Sequence, residues 1–136
     1  MSELLLDTHV WLWLMEGRSS LTKKVVSLIE KAHVNGSIFV SAISCWGIGM
    51  LESKKRIVLS MPASEWIKSA VSTGVEVLPL TPEVLLESCH LPGEFHADPA
   101  DRMIVATARM KNITLVTRDK NILKYGTKDF VSTLRA

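Results

Sequence analysis

The sequence predicts an α/β/α sandwich with a mostly parallel sheet, folded as one domain over residues 1–136. Three observations predict it. Short apolar runs alternate with amphipathic stretches, the pattern of strands joined by covering helices. No internal repeat, low-complexity stretch or charge block marks a linker. The composition, 47% hydrophobic and 22% charged over 136 residues, is ordinary for a globular chain with a sizeable core and unlike a disordered one.

The elements follow in order. Leu4-Leu5-Leu6 is a short apolar strand that ends at Asp7, with a helix beginning near Thr8. Ser20 to His33 reads as a helix: Leu21, Val25, Leu28, Ile29 and Ala32 fall on one face and Lys23, Lys24, Glu30 and Lys31 on the other. Asn35-Gly36 stops it. Ser37 to Ser41 is a second strand, and Ile43 to Lys55 a helix. Pro62 to Thr73 is another, ended by Gly74. Val75 to Leu80 is a third strand. Thr81-Pro82-Glu83 then opens a helix with a Thr cap, Pro at the first helical position and an acid in the first turn. Asp98-Pro99-Ala100-Asp101 repeats that grammar, for a helix running to about Lys111. Ile113 to Thr117 is a fourth strand, ending at Arg118-Asp119. The apolar pair Phe130-Val131 reads as an edge strand.

Composition narrows the function classes. The longest apolar runs, such as Val10 to Met15, are far shorter than the ~20 residues that cross a bilayer. No basic region followed by an apolar one suggests a secretory signal. Cys45 and Cys89 lack metal-ligand or disulfide-framework spacing, which fits a reducing cytoplasm. The net charge of +2 is too small for a polybasic tail, although it permits a local basic rim. No GxGxxG follows the first strand, against a dinucleotide site. An aspartyl-phosphate phosphatase wants a second aspartate two residues after Asp7, where His9 stands.

The chain has five aspartates: Asp7, Asp98, Asp101, Asp119 and Asp129. Asp7 and Asp119 follow strand runs, and Asp98 and Asp101 stand at a helix start. In a parallel sheet, strand ends and following helix starts meet at one edge, where ligands bind. Each acid also has a purely structural explanation as a helix cap or first-turn charge. Taken together they point to a metal site, because clustered carboxylates repel unless a cation lies among them. Oxygen donors favour hard ions such as Mg²⁺ or Mn²⁺, which suit phosphodiester chemistry.

Four segments carry a resemblance. Leu4-Leu5-Leu6-Asp7-Thr8-His9-Val10-Trp11, Ser41-Ala42-Ile43-Ser44-Cys45-Trp46 followed by Ile48, His96 to Ala108, and Leu115-Val116-Thr117-Arg118-Asp119 resemble, in order, the four motifs of PIN domains. The likeness is strongest to VapC-type toxins of bacterial toxin–antitoxin pairs. It implies an α/β/α sandwich and metal-dependent RNA cleavage. Asp7, Asp101 and Asp119 match metal-binding acids, holding Mg²⁺ (or Mn²⁺). Asp98 matches a helix cap with an accessory role. Thr117 and Thr8 would orient carboxylates or a water, with the Ser44 hydroxyl behind them. The resemblance also implies a homodimer and a cognate antitoxin whose C-terminal segment lies across the toxin groove. Any operator DNA contact would be made by the antitoxin.

One position departs from the pattern. The glutamate expected directly after Trp46 is Gly47 here. Glu52 is a poor replacement, about 140° around the helix and roughly 7.5 Å along its axis. Three readings stand open: an inactive variant of a toxin, a weakened nuclease that keeps one metal, and a non-catalytic module that binds antitoxin or RNA.

RNA must reach the acids past their charge. Arg102 and Arg118 each adjoin a proposed ligand and, with Arg18, are candidate RNA contacts. Lys54-Lys55-Arg56 reads either as a further phosphate contact or as a solvated helix end, and more readily as the latter. His96 reads more readily as structural than as a substrate contact. Core packing is the expected role for most of Trp11, Trp13, Trp46 and Trp66, with base stacking the alternative.

Overall fold

The computed structural model describes residues 3–17 and 20–136, so Arg18 lies outside the described residues. Within them the chain runs β1 (Leu4–Leu6), α1 (Thr8–Glu16), α2 (Lys23–Val34), β2 (Ile38–Ser41), α3 (Ala42–Ser53) and α4 (Ala63–Ser72). It continues through β3 (Glu76–Leu78), α5 (Pro82–Cys89), α6 (Pro99–Lys111), β4 (Thr114–Thr117), α7 (Lys120–Thr127) and β5 (Thr133–Arg135). Local chemistry sets the helix starts. The Thr22, Ser41, Thr81, Asp98 and Asp119 side chains each accept from backbone N–H groups in the first turn that follows. Asn112 ends α6 in the left-handed conformation, at φ 54°. Helix α3 continues through Gly47 and Gly49 for 12 residues, each glycine costing roughly 1 kcal/mol relative to Ala. Burial of Ile48 within it offsets part of that cost.

The five strands form one sheet in the order β3-β2-β1-β4-β5, and every described pairing is parallel. Strand β1 is central and buried on both faces, which is why it reads as an unbroken apolar run. Its alternation divides the core. Leu4 and Leu6 face α1, α2 and α4, while Leu5 faces α5, α6 and α7. After β1 the chain adds β2 and β3 to one side, and it later places β4 and β5 on the other. The strand order therefore reverses between β1 and β4, a crevice-forming point at the carboxyl ends of parallel strands.

One expected strand moved. Phe130 and Val131 do not pair with the sheet, and the edge strand is Thr133–Arg135, with Leu115 opposite Thr133. Val131 is buried in the core beside α6 and α7, and Phe130 packs on Tyr125 with ring centroids 4.8 Å apart. An apolar pair here seals a helix layer, and the less apolar segment after it completes the ladder. No described helix is long and apolar enough to cross a membrane.

Candidate active site

The crevice at the strand reversal is a cavity of about 640 Å³. Asp7, Asp98, Asp101 and Asp119 all line it. Each arrives from a different part of the scaffold. Asp7 follows β1 and caps α1, its Oδ1 accepting from Thr8 N–H at 2.8 Å. Asp119 follows β4 by two residues and caps α7 through Oδ1, at 2.9 and 3.0 Å from the Asn121 and Ile122 nitrogens. Asp98 caps α6 at 3.0 and 3.3 Å, so the neighbouring Asp101 does not act as the cap.

Thr117, wholly buried at the end of β4, ties two of the acids together. Its hydroxyl donates to Asp7 Oδ2 at 2.6 Å and accepts from Asp119 N–H at 3.0 Å. Thr8 donates to Ser44 at 2.9 Å, linking α1 to α3. The resemblance named these three hydroxyls, and of them Thr117 is the one that donates to a carboxylate. His96, read from the sequence as structural, stands beside one of the acids. Its Nε2 lies 3.1 Å from Asp101 Oδ2, but off the line a hydrogen bond requires, and that buried nitrogen has no hydrogen-bond partner among the described residues.

Charge and burial act on these acids together. Asp101 is pushed up from an ordinary 3.8 to about 7, chiefly by burial and then by the charges of Asp7, Asp98 and Asp119. Burial also raises Asp7, while the Thr117 hydroxyl, the Thr8 N–H and His9 pull the other way. A divalent cation is the group that relieves such crowding. His96, Asp101 and Asp119 offer ligand atoms all within 4.8 Å of one another, and Asp7 lines the same cavity. Carboxylate oxygens with one imidazole fit a divalent metal ion. The orphaned His96 nitrogen beside Asp101 agrees with that fit.

The remaining candidates separate. Arg118 lines the cavity, its guanidinium 4.7 Å above the Trp13 ring, with Nε donating to Ala136 O at 3.2 Å. Arg102 does not line it. Its Nε and Nη1 donate to the Ser88, Phe95 and His96 carbonyls at 2.8, 3.1 and 3.2 Å, so it braces the loop before α6. Lys54 and Arg56 reach the cavity wall and Lys55 does not. Trp11 and Trp66 are buried against each other, whereas Trp46 is 56% exposed on the cavity rim. Helical periodicity alone does not separate those tryptophans. Gly47 also lines the cavity, and a Cβ built there would stand 3.1 Å from the Thr8 methyl carbon. A side chain at position 47 would therefore start at the wall of the acidic cavity.

The PIN domain profile matches residues 4–128. The chain belongs to the PIN domain family. Among PIN proteins it is 34% identical over 122 residues to Ribonuclease VapC22 of Mycobacterium tuberculosis (strain ATCC 25618 / H37Rv), covering 90% of this chain and 91% of that one. Its fold matches the crystal structure of VapBC2 from Rickettsia felis bound to a DNA fragment from their promoter, with a TM-score of 0.70 at 16% identity over 97% of each chain. It also matches DNA-bound VapBC from Salmonella typhimurium, with a TM-score of 0.72 at 14% identity over 99% and 98% of the two chains. This PIN chain is thus of the VapC type in sequence, with the fold of proteins solved in VapBC complexes.

Proposed function

We propose that this PIN domain, acting as one unit over residues 1–136, is a metal-dependent endoribonuclease toxin of the VapC type, weakened by Gly47. The observation that carries the reading is the meeting of Asp7, Asp101 and Asp119 in one cavity whose wall includes position 47. Asp7, Asp101 and Asp119 would hold Mg²⁺ or Mn²⁺, and His96 stands close enough to Asp101 to join or steady that set. The ion, when bound, supplies Lewis acidity for phosphodiester hydrolysis.

The chain's own residues do the rest. Thr117 fixes the Asp7 carboxylate and the Asp119 backbone in one arrangement, so the ligands need not reorganise. Asp98 holds the first turn of α6 and thereby the place of Asp101. Arg118, Lys54 and Arg56 put positive charge on the cavity wall, where a phosphate backbone would lie. The exposed Trp46 offers a ring face beside the cavity. A cognate antitoxin would neutralise the toxin by covering this groove. It would also supply any operator DNA contact, and the toxin itself would act as a homodimer in the cytoplasm.

Gly47 favours a second reading: a PIN module that binds antitoxin or RNA without hydrolysis, because the cavity is one carboxylate short. One paired experiment separates the two. This chain and its Gly47→Glu variant are titrated with Mn²⁺ while thermal unfolding is followed, and each is assayed on labelled RNA. At a hundred times its dissociation constant the ion should add roughly 2.7 kcal/mol of stability. Accommodating the new Cβ needs the Thr8 methyl to give by a few tenths of an ångström. Metal stabilisation and cleavage restored by glutamate support the weakened nuclease. Metal binding without cleavage in both proteins supports the binding module. No metal response in either removes the metal-site reading.

A further inference from the structure

A second cleft, of about 300 Å³, is lined by His96, Phe95 and Asn121, and its His96 Nε2 lies 3.1 Å from Asp101 of the acidic cavity. Lys124 and Lys128 line it from helix α7 and its C-cap, and Glu94 lines it too. Lys120 precedes Lys124 by four residues, and all three lysines are exposed. At four-residue spacing they fall about 6 Å apart along the helix axis and within about 40° of one another per step. The row begins directly after Asp119. Lys124 and Lys128 thus lie roughly 7.5 and 13.5 Å along the axis from that acid.

The wall of this cleft is held in place from behind. Arg102 donates to the Phe95 and His96 carbonyls, and the Phe95 ring packs on Tyr125 with centroids 4.9 Å apart. The Tyr125 hydroxyl donates to Pro92 O. Arg102 is therefore placed to shape a nucleic-acid path indirectly, by bracing its wall.

We infer that Lys120, Lys124 and Lys128, with the cleft beside His96, bind the RNA backbone on one side of the scissile phosphate. The inference rests on the ribonuclease reading and deepens it by assigning the flank of the substrate to α7. A row of cations leading away from the acids suits a linear polyanion whose successive phosphates are separated by a similar distance. A compact free phosphate would need donors converging on one point, which lysines about 6 Å apart along a helix do not supply. Lys54, Arg56 and Arg118 line the acidic cavity itself and would meet the substrate there.

The test measures binding of a labelled single-stranded RNA in chelator across a salt series. The proteins are the parent chain, a Lys124→Gln/Lys128→Gln variant, a Lys124→Arg/Lys128→Arg variant, and a Lys23→Gln/Lys24→Gln control on α2, which packs on the other face of the sheet. Each lost phosphate contact should reduce the slope of log affinity against log salt by about 0.7, and affinity at 0.1 M salt by about fivefold. The expected result is a slope reduced by about 1.4 in the α7 glutamine variant, with the arginine variant and the α2 control close to the parent and melting temperatures alike. Equal effects from the α7 and α2 glutamine pairs, or none from α7, overturn this assignment while leaving the nuclease reading intact. Failure of the parent to bind RNA overturns both.

Discussion

Helices α6 and α7 both begin with an aspartate beside the same cavity, yet they divide the work differently. In α6 the cap and the partly buried acid are separate residues: Asp98 satisfies the N–H groups of Ala100 and Asp101, and the Asp101 carboxylate is left to the cavity. In α7 one residue does both, with Asp119 Oδ1 accepting from two N–H groups while the same carboxylate belongs to the acidic set. Asp101 faces burial and three neighbouring carboxylates, and its proton affinity rises accordingly. A cap is a stabilising element with or without a ligand, whereas a partly buried acid crowded by other carboxylates is costly to ionise until a cation arrives.

The sharpest way to break this comparison is to read turnover. In a Gly47→Glu background that cleaves RNA, Asp101→Asn and Asp119→Asn should each lower turnover by about a hundredfold or more. Asp98→Asn keeps the cap and should have a much smaller effect, less than about tenfold. Equal losses at all three positions would show that Asp98 shares the chemistry of the other two.

The next effect is a pH slope. Folded Asp101 holds its proton up to about 7, and the unfolded chain releases it near 3.8. Between those values the folded state binds more protons, so metal-free stability should fall as pH rises from about 4 to about 7. Asp7 adds in the same direction. Thermal unfolding across that window should show the decline, and Asp101→Asn should flatten it. With Mn²⁺ present the trend should reverse, because the ion binds the ionised carboxylates.

The smallest effects are those of the caps. Asp98→Ala and Asp119→Ala should each cost about 1 kcal/mol without metal. With saturating Mn²⁺ only Asp119→Ala should also lose metal stabilisation, measured as the shift in melting temperature on adding the ion. A metal response retained in Asp119→Ala would make that residue a cap alone.

Much of this arrangement was legible in the residues. The caps at Thr81 and Asp98 lie where their local grammar put them, and the strand runs ending at Asp7 and Thr117 lie in the central pair of the sheet. Other features were not legible. The start of α2 shifted from Ser20 to Lys23 because Thr22 caps it. His96 looked like a bystander, and it stands 3.1 Å from Asp101. Arg102 looked like a phosphate contact because it follows Asp101, but a residue one step along a helix points about 100° away. Its guanidinium instead meets three carbonyls.

The sequence by itself determined most of the order of elements, the capped starts of α5 and α6, and which acids follow strands. Those properties depend on apolar periodicity and on hydrogen bonds spanning only a few residues. The tertiary structure alone decided that β1 lies beside β4, so that Thr117 reaches the Asp7 carboxylate. It alone decided that Trp46 stays at the rim while Trp11 is buried, and that Gly47 opens onto the acids. Those outcomes depend on contacts between residues far apart in the chain, and such contacts exist only once the helices have packed on the two faces of the sheet.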